Sequence, residues 1–317
     1  MDAKPIFSQA TSKGPRKTLD SARLKNHQRL HAVAVSSLSL LGCLAALALV
    51  CLGRPPGAVE VGLFLGGFLC TGFGVNIGLH RHFTHRSFQA VTPVRVALAI
   101  LGSMAAQGPV IFWVALHRLH HEFSDQPGDI HSPHFHGEGW WGSVRGLWHA
   151  HVGWTFDHAV PNAAYYAGDL LRDRAIAPIS RTYFFWVFLG LLIAAVLGGV
   201  LTGTWMGVLT GFLWGGPVRI FCWHNMIWSI TSCAHFFGER PFDADDRSTN
   251  NFWFAIPTLG ESWHNNHHAF PNAAMAGLEW WQIDPSGWVI RALEKLGLVW
   301  DVKIPTQAMR RAKARAI

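Results

Sequence analysis

Two pairs of long apolar runs constrain this chain more than any other feature. Residues 32–52 and 61–79 form the first pair, parted by Arg54-Pro55-Pro56-Gly57; residues 183–201 and 205–228 form the second, meeting at Gly203. Each run is about twenty residues, enough to cross a hydrocarbon core of about 30 Å at about 1.5 Å per residue. A segment in lipid must satisfy its own backbone hydrogen bonds, so the predicted fold class is an all-α integral membrane protein with four transmembrane helices. Composition agrees, with 50% hydrophobic and 14% charged residues and 16 Trp. Soluble domains carry about 25% charge, and Trp gathers at membrane–water interfaces.

The net charge of +7 comes largely from the two ends, residues 4–29 and 303–315. Basic clusters flanking apolar spans mark the cytoplasmic side of a membrane; no basic stripe suited to nucleic acid is present. Four spans then put both termini in the cytoplasm. The expected organisation is a basic segment over 1–30 and one membrane domain over 31–317, with a helical cytoplasmic cap from 80–180 and 235–317. The run 91–112, interrupted by Pro93, Arg95 and Gln107, reads as an interfacial or re-entrant helix. Cys43, Cys51, Cys70, Cys222 and Cys233 lie in apolar stretches without a Cys-x-x-Cys pair, so they read as small buried hydrophobes. About thirty polar residues before the first apolar run argue against a secretory signal peptide.

Nineteen histidines are present, and their spacing carries chemistry. His80 and His85 lie in His80-Arg81-His82-Phe83-Thr84-His85. His117, His120 and His121 form one His-x-x-His-His string, and His264, His267 and His268 form another; His235 follows the last span. Positions i, i+3 and i+4 share a helix face, so each string is expected to aim three imidazoles at one point. His80 and His85 stand about 140° apart on an ideal helix and converge only if the span ends or distorts there. Neutral imidazole is the commonest biological metal ligand. Eight or nine nitrogens are too many for one ion and suit two with four or five each. A closed tetrahedral zinc site does not need so many, and the Glu-x-x-His pattern of soluble di-iron bundles is absent. Asp125, Asp129, Glu261 and Asp284 are candidates to hold ligand N–H groups. His27, His31, His134, His136 and His158 read as ordinary surface or interface histidines, and His82 is off the required spacing.

These motifs resemble the membrane fatty-acid desaturase family, in particular its acyl-CoA, stearoyl-type branch and bacterial relatives. The likeness runs from Gly78 to Pro305. It includes residues 78–88, Trp113 through Asp125, His151-Val152-Gly153-Trp154, Ala234-His235-Phe236-Phe237-Gly238, residues 260–268 and Gln282-Ile283-Asp284-Pro285. The resemblance implies nine metal ligands: His80, His85, His117, His120, His121, His235, His264, His267 and His268. It also implies two iron ions, O2 as co-substrate and a bent tunnel for the acyl chain. The family commonly has Asn where Thr231 stands, and His224 is a candidate to compensate.

The expected function is therefore oxygen-dependent desaturation of a long-chain fatty acyl substrate. The resemblance points to acyl-CoA, to the bond between carbons nine and ten, and to a bacterial inner membrane with the active site on the cytoplasmic side. A hydroxylase or acetylenase on the same centre, and a non-enzymatic membrane metal protein, are the alternatives. An unactivated methylene does not yield to acid–base chemistry, so O2 and an external electron donor are required. With no His-Pro-Gly-Gly haem motif in the chain, that donor is separate: a cytochrome b5-like, ferredoxin or rubredoxin carrier with its reductase. Arg310 and Arg311 are candidates for its docking face. Arg81, Arg86 and Arg118, beside the histidines, either orient a phosphate-bearing headgroup or pair with local carboxylates.

Overall fold

The computed structural model describes residues 16–315; residues 1–15 and 316–317 of the expected basic termini lie outside the described residues. The described residues are mostly helical. The first helix, Ala22–Cys51, starts ten residues before the apolar run, because Ser21 caps it by accepting from the Leu24 N–H at 3.4 Å. Ahead of it, Thr18–Leu19 pairs antiparallel with Val160–Pro161, so the polar lead-in is tied to the rest of the fold.

Among the described residues, three helices are long and apolar enough to cross a membrane: Ala22–Cys51, Ala58–Thr84 and Tyr183–Thr202. Leu41, Leu44 and Leu47 on the first, Leu65 on the second, and Phe188 and Val200 on the third face outward. A soluble protein rarely leaves so much contiguous apolar surface uncovered; lipid is the solvent these faces fit. The run expected at 205–228 is helical from 205 to 232, in three pieces: Trp205–Leu213, a π-helical Trp214–Val218 around Pro217, and Arg219–Ser232. Its turn from the preceding helix is made at Gly203, whose φ of 67° is one a side chain would strain.

The second helix continues beyond its apolar part, changing from α over Ala58–Phe73 to π over Gly74–Thr84. Gly74 and Gly78 lie against Thr92–Ser103; a Cβ at Gly74 would stand 2.3 Å from the Gly102 nitrogen. The stretch 91–112 is two helices rather than one. Thr92–Ser103 is about 18 Å long, too short to span. It turns at residues 104–109 into Val110–Phe123, which carries the first His-x-x-His-His string. The short helix His264–Ala269 carries the second.

Candidate metal centre

The nine histidines converge in two groups. His80, His85, His117, His121 and His267 form one, and His120, His235, His264 and His268 form the other; within each, the nitrogens lie within 4.8 Å of one another. The expectation that each string aims all three rings at one point is not met. His117 and His121 enter the first group and His120 the second; His264 and His268 enter the second and His267 the first. At about 100° per residue, i and i+4 differ by about 40° while i+3 falls about 60° to the other side, so each short helix straddles both groups.

The π-helix brings His80 and His85 together. The His85 N–H reaches the His80 carbonyl at 3.2 Å, an i to i+5 bond, and the two ring centroids are 4.9 Å apart. Extra residues per turn bring onto one face two positions that an α-helix would separate.

Four carboxylates set the tautomers. His80 Nδ1 stands 2.7 Å from Glu261 Oε2, His120 Nδ1 3.0 Å from Asp129 Oδ1, and His235 Nδ1 2.8 Å from Asp125 Oδ2; His268 Nδ1 bonds Asp246. A neutral imidazole donating through Nδ1 presents a lone pair at Nε2. Those lone pairs face other ring nitrogens: His80 to His267 at 3.0 Å, His267 to His121 at 3.0 Å, His121 to His117 at 3.1 Å and His235 to His264 at 2.9 Å. His85 Nε2, His120 Nε2 and His268 Nε2 are buried without any partner. A cation about 2.1 Å from two nitrogens at right angles would set them about 3.0 Å apart, so the donor set fits a metal ion in each group.

Electrostatics favour neutral rings. Burial first, and neighbouring histidines second, push His85, His117, His121, His131, His264, His267 and His268 well below the usual histidine range. Burial opposes ionisation of Asp125 and Asp129, yet the adjoining His235 and His120 outweigh it and hold both carboxyls low. His235 is raised, because Asp125 overrides its burial. These depressed histidines cost nothing above their unfolded value of about 6.5; below it the unfolded chain takes up protons that the folded chain refuses. Each such proton steepens the loss by about 1.4 kcal/mol per pH unit. Metal-free protein in detergent should therefore melt at a steeply falling midpoint below about pH 6.5, while on the alkaline side the raised His235 alone gives a shallower, single-proton loss as pH climbs through its folded value. A midpoint flat down to pH 5 would show that these rings are not held neutral.

Other candidate residues fall elsewhere. Asp284 touches no histidine: it grips Arg81 at 2.9 and 3.0 Å and takes the N–H groups of Ala276 and Gly287. Arg81 is 2% exposed and also bonds Glu261 at 2.9 Å, so it braces the carboxylate that holds His80 and is out of reach of a headgroup. Arg86 and Arg118 both pair with Asp169, and Arg118 also takes the Phe83 and Thr84 carbonyls. The pairing reading holds for all three arginines. Thr231 donates to the Ala150 carbonyl and His224 Nε2 lies 2.8 Å from the Ala105 carbonyl; neither joins a histidine group. His82 and His134 bond the Phe88 and His235 carbonyls.

Two residues went unmarked in the sequence. Asp246 lies in a polar loop far from any string, where nothing local separates it from a solvated carboxylate. His131, whose ring lies 4.1 Å from that of His120, sits with His134 and His136 outside the three strings and is buried with its Nδ1 unpartnered.

Two histidine groups that could each hold a metal ion, set within a helical protein with membrane-length apolar helices, are the arrangement of a metal-dependent membrane enzyme. The chain belongs to the fatty acid desaturase family, whose model it matches over residues 55–302. It is 51% identical, over 95% of its length and 94% of the relative's, to a hex-5-enoyl-[acyl-carrier protein] acetylenase of Moorena producens (strain JHB). It is 38% identical to an sn-1 stearoyl-lipid 9-desaturase of Anabaena variabilis, over 78% of this chain and 84% of that one. It is 36% identical to an acyl-CoA C20 Delta5-desaturase of Anemone leveillei, over 77% and 73%.

Proposed function

We propose that this protein dehydrogenates an acyl chain at a di-iron centre, with His80, His85, His117, His121 and His267 holding one ion and His120, His235, His264 and His268 the other. The convergence of nine imidazoles in groups of five and four carries this reading. When bound, the iron pair supplies O2 reduction. The chain's residues position, orient and shield. Glu261, Asp129, Asp125 and Asp246 fix ring tautomers. The walls of a cavity that reaches His80, His117, His120 and His264 hold one carbon pair beside the centre and keep water away. In balance, the substrate gives up two hydrogens, the carrier supplies two electrons with two protons, and O2 leaves as two waters.

The relative at 51% identity favours a second version of the same reaction, removal of two hydrogens from an alkene to leave an alkyne. Iron-loaded protein with reductant, O2 and acyl thioesters decides between them by product mass. Loss of two hydrogens from a saturated or unsaturated chain supports dehydrogenation, gain of one oxygen means hydroxylation, and no change in any acyl chain refutes the proposal.

Four spans place both termini and the cap on the cytoplasmic side in this reading. An electron carrier docks at the cap groove lined by Arg240, Arg310, Arg311 and Arg315. The groove adjoins the centre: Lys313 donates to the Ala269 carbonyl at the end of the helix bearing His264, and Phe242 packs on Phe270. Arg310 is held by Glu279, which leaves Arg311 as the freer charge. Arg311→Glu should slow turnover with an acidic protein donor several-fold at low salt, with the deficit shrinking as salt rises. Equal rates for mutant and parent at every ionic strength would place docking elsewhere.

A further inference from the structure

The cavity that reaches the histidines has polar and apolar walls. Gln28, His31, Gln107 and Thr155 line it, and the side-chain oxygens of both glutamines have no protein partner. Those groups suit the polar, carrier-linked end of an acyl substrate. Val75, Leu116 and Ile227 line it together with His80, His117, His120 and His264.

Next to Ile227 the protein packs closely. Trp223, one turn earlier on the same helix, is 0% exposed and meets Phe68 edge to face at 5.2 Å. Leu259 closes the other side: a Cβ on Gly72 would come within 2.6 Å of Leu259 and 2.7 Å of Trp223, so no gap lies between them. One further turn back stands Arg219, buried, donating to the Gly215 carbonyl, Thr71 Oγ1 and the Met104 carbonyl at 2.8, 2.9 and 3.2 Å. A hydrocarbon tail passing Trp223 would meet a buried cation whose hydrogen bonds it could not replace.

The free space matches a short guest. The cavity holds about 150 Å³. Pockets that enclose a drug-sized ligand run to roughly 300–1,000 Å³, and an apolar cavity of roughly 150 Å³ takes one benzene, a six-carbon guest.

We infer that the substrate is a short acyl chain, oxidised within a few carbons of its methyl end, with Trp223 and Phe68 setting the length limit. This replaces the expectation of a long chain cut at carbons nine and ten, and it rests on the acyl-chain reading above. The hex-5-enoyl substrate in the name of the Moorena producens relative is of the same short class.

The test uses full-length protein and saturated acyl thioesters of six to eighteen carbons, on coenzyme A and on acyl-carrier protein; the inference concerns the chain and expects the same length limit on both. In metal-free protein, six- and eight-carbon thioesters should raise the melting midpoint and quench tryptophan emission, and the eighteen-carbon one should not compete with them. In iron-loaded protein the six-carbon chain should turn over at least tenfold faster than the eighteen-carbon chain. Trp223→Ala and, should that variant not fold, Phe68→Ala should shift this ratio at least tenfold toward longer chains. Equal binding or turnover of the eighteen-carbon chain by the parent protein, or variants folded yet unchanged in length preference, would overturn the inference. Should iron-loaded protein oxidise no chain at all, the dehydrogenase reading falls, and the binding series alone still decides the length limit.

Discussion

His264→Ala should leave the protein with one iron where the parent holds two. His264 belongs to the group of four, so its loss leaves three nitrogens, while the group of five is untouched. His85→Ala, by contrast, takes the group of five to four, and that variant should retain more iron than His264→Ala. Turnover should fall by about a thousandfold or more in His264→Ala, since a metal ion's electrostatic work is worth several kcal/mol and about 1.4 kcal/mol is tenfold. Metal analysis of purified variants checks the stoichiometry, and product mass checks the rate. Equal iron content in His264→Ala and the parent would remove His264 from the ligand set.

Arg81→Met should be the most damaging change to folding. The guanidinium spans Glu261 and Asp284, both nearly fully buried, and the Ala274 carbonyl. Removing it strands two carboxylates in a dry environment, a change that typically costs about 3–5 kcal/mol against a total stability of about 5–15 kcal/mol. Glu261 is then free to protonate and to release His80 Nδ1, so iron binding should weaken as well. Thermal melting in detergent measures the first effect and iron retention the second. A variant that melts within a degree or two of the parent would show that solvent or lipid already reaches this triad.

Much of this was legible in the sequence for a plain reason. Apolar runs of about twenty residues have few folded alternatives, and histidines at i, i+3 and i+4 have few bland explanations. The strings were readable as ligands, but not their division between two groups. Sharing a face was taken as sharing a target, although His120 and His121 differ by about 100° around the axis and enter two different groups that lie side by side. The junction of His80 with His85 depended on a π-helix, which no propensity announces; the requirement for some distortion was readable, its form was not. Asp125, Asp129 and Glu261 were found because each lies within a few residues of a histidine string, the first two after one and Glu261 just before the other. Asp246 was missed because its partner, His268, lies 22 residues away and only tertiary folding brings them together. The arginines beside the histidines resembled anion-binding residues; Arg81 is buried against Glu261 and Asp284, while Arg118 and the exposed Arg86 both pair with Asp169.

The crossing of the two strings between the groups ties distant parts of the chain into a single unit. His267, from the C-terminal third, sits among four rings supplied by residues 80–121, and His120 sits among three rings supplied by residues 235–268. Under the proposed di-iron reading, an ion in either group would therefore join the early helices to the late ones, and one ion would be enough to make that tie.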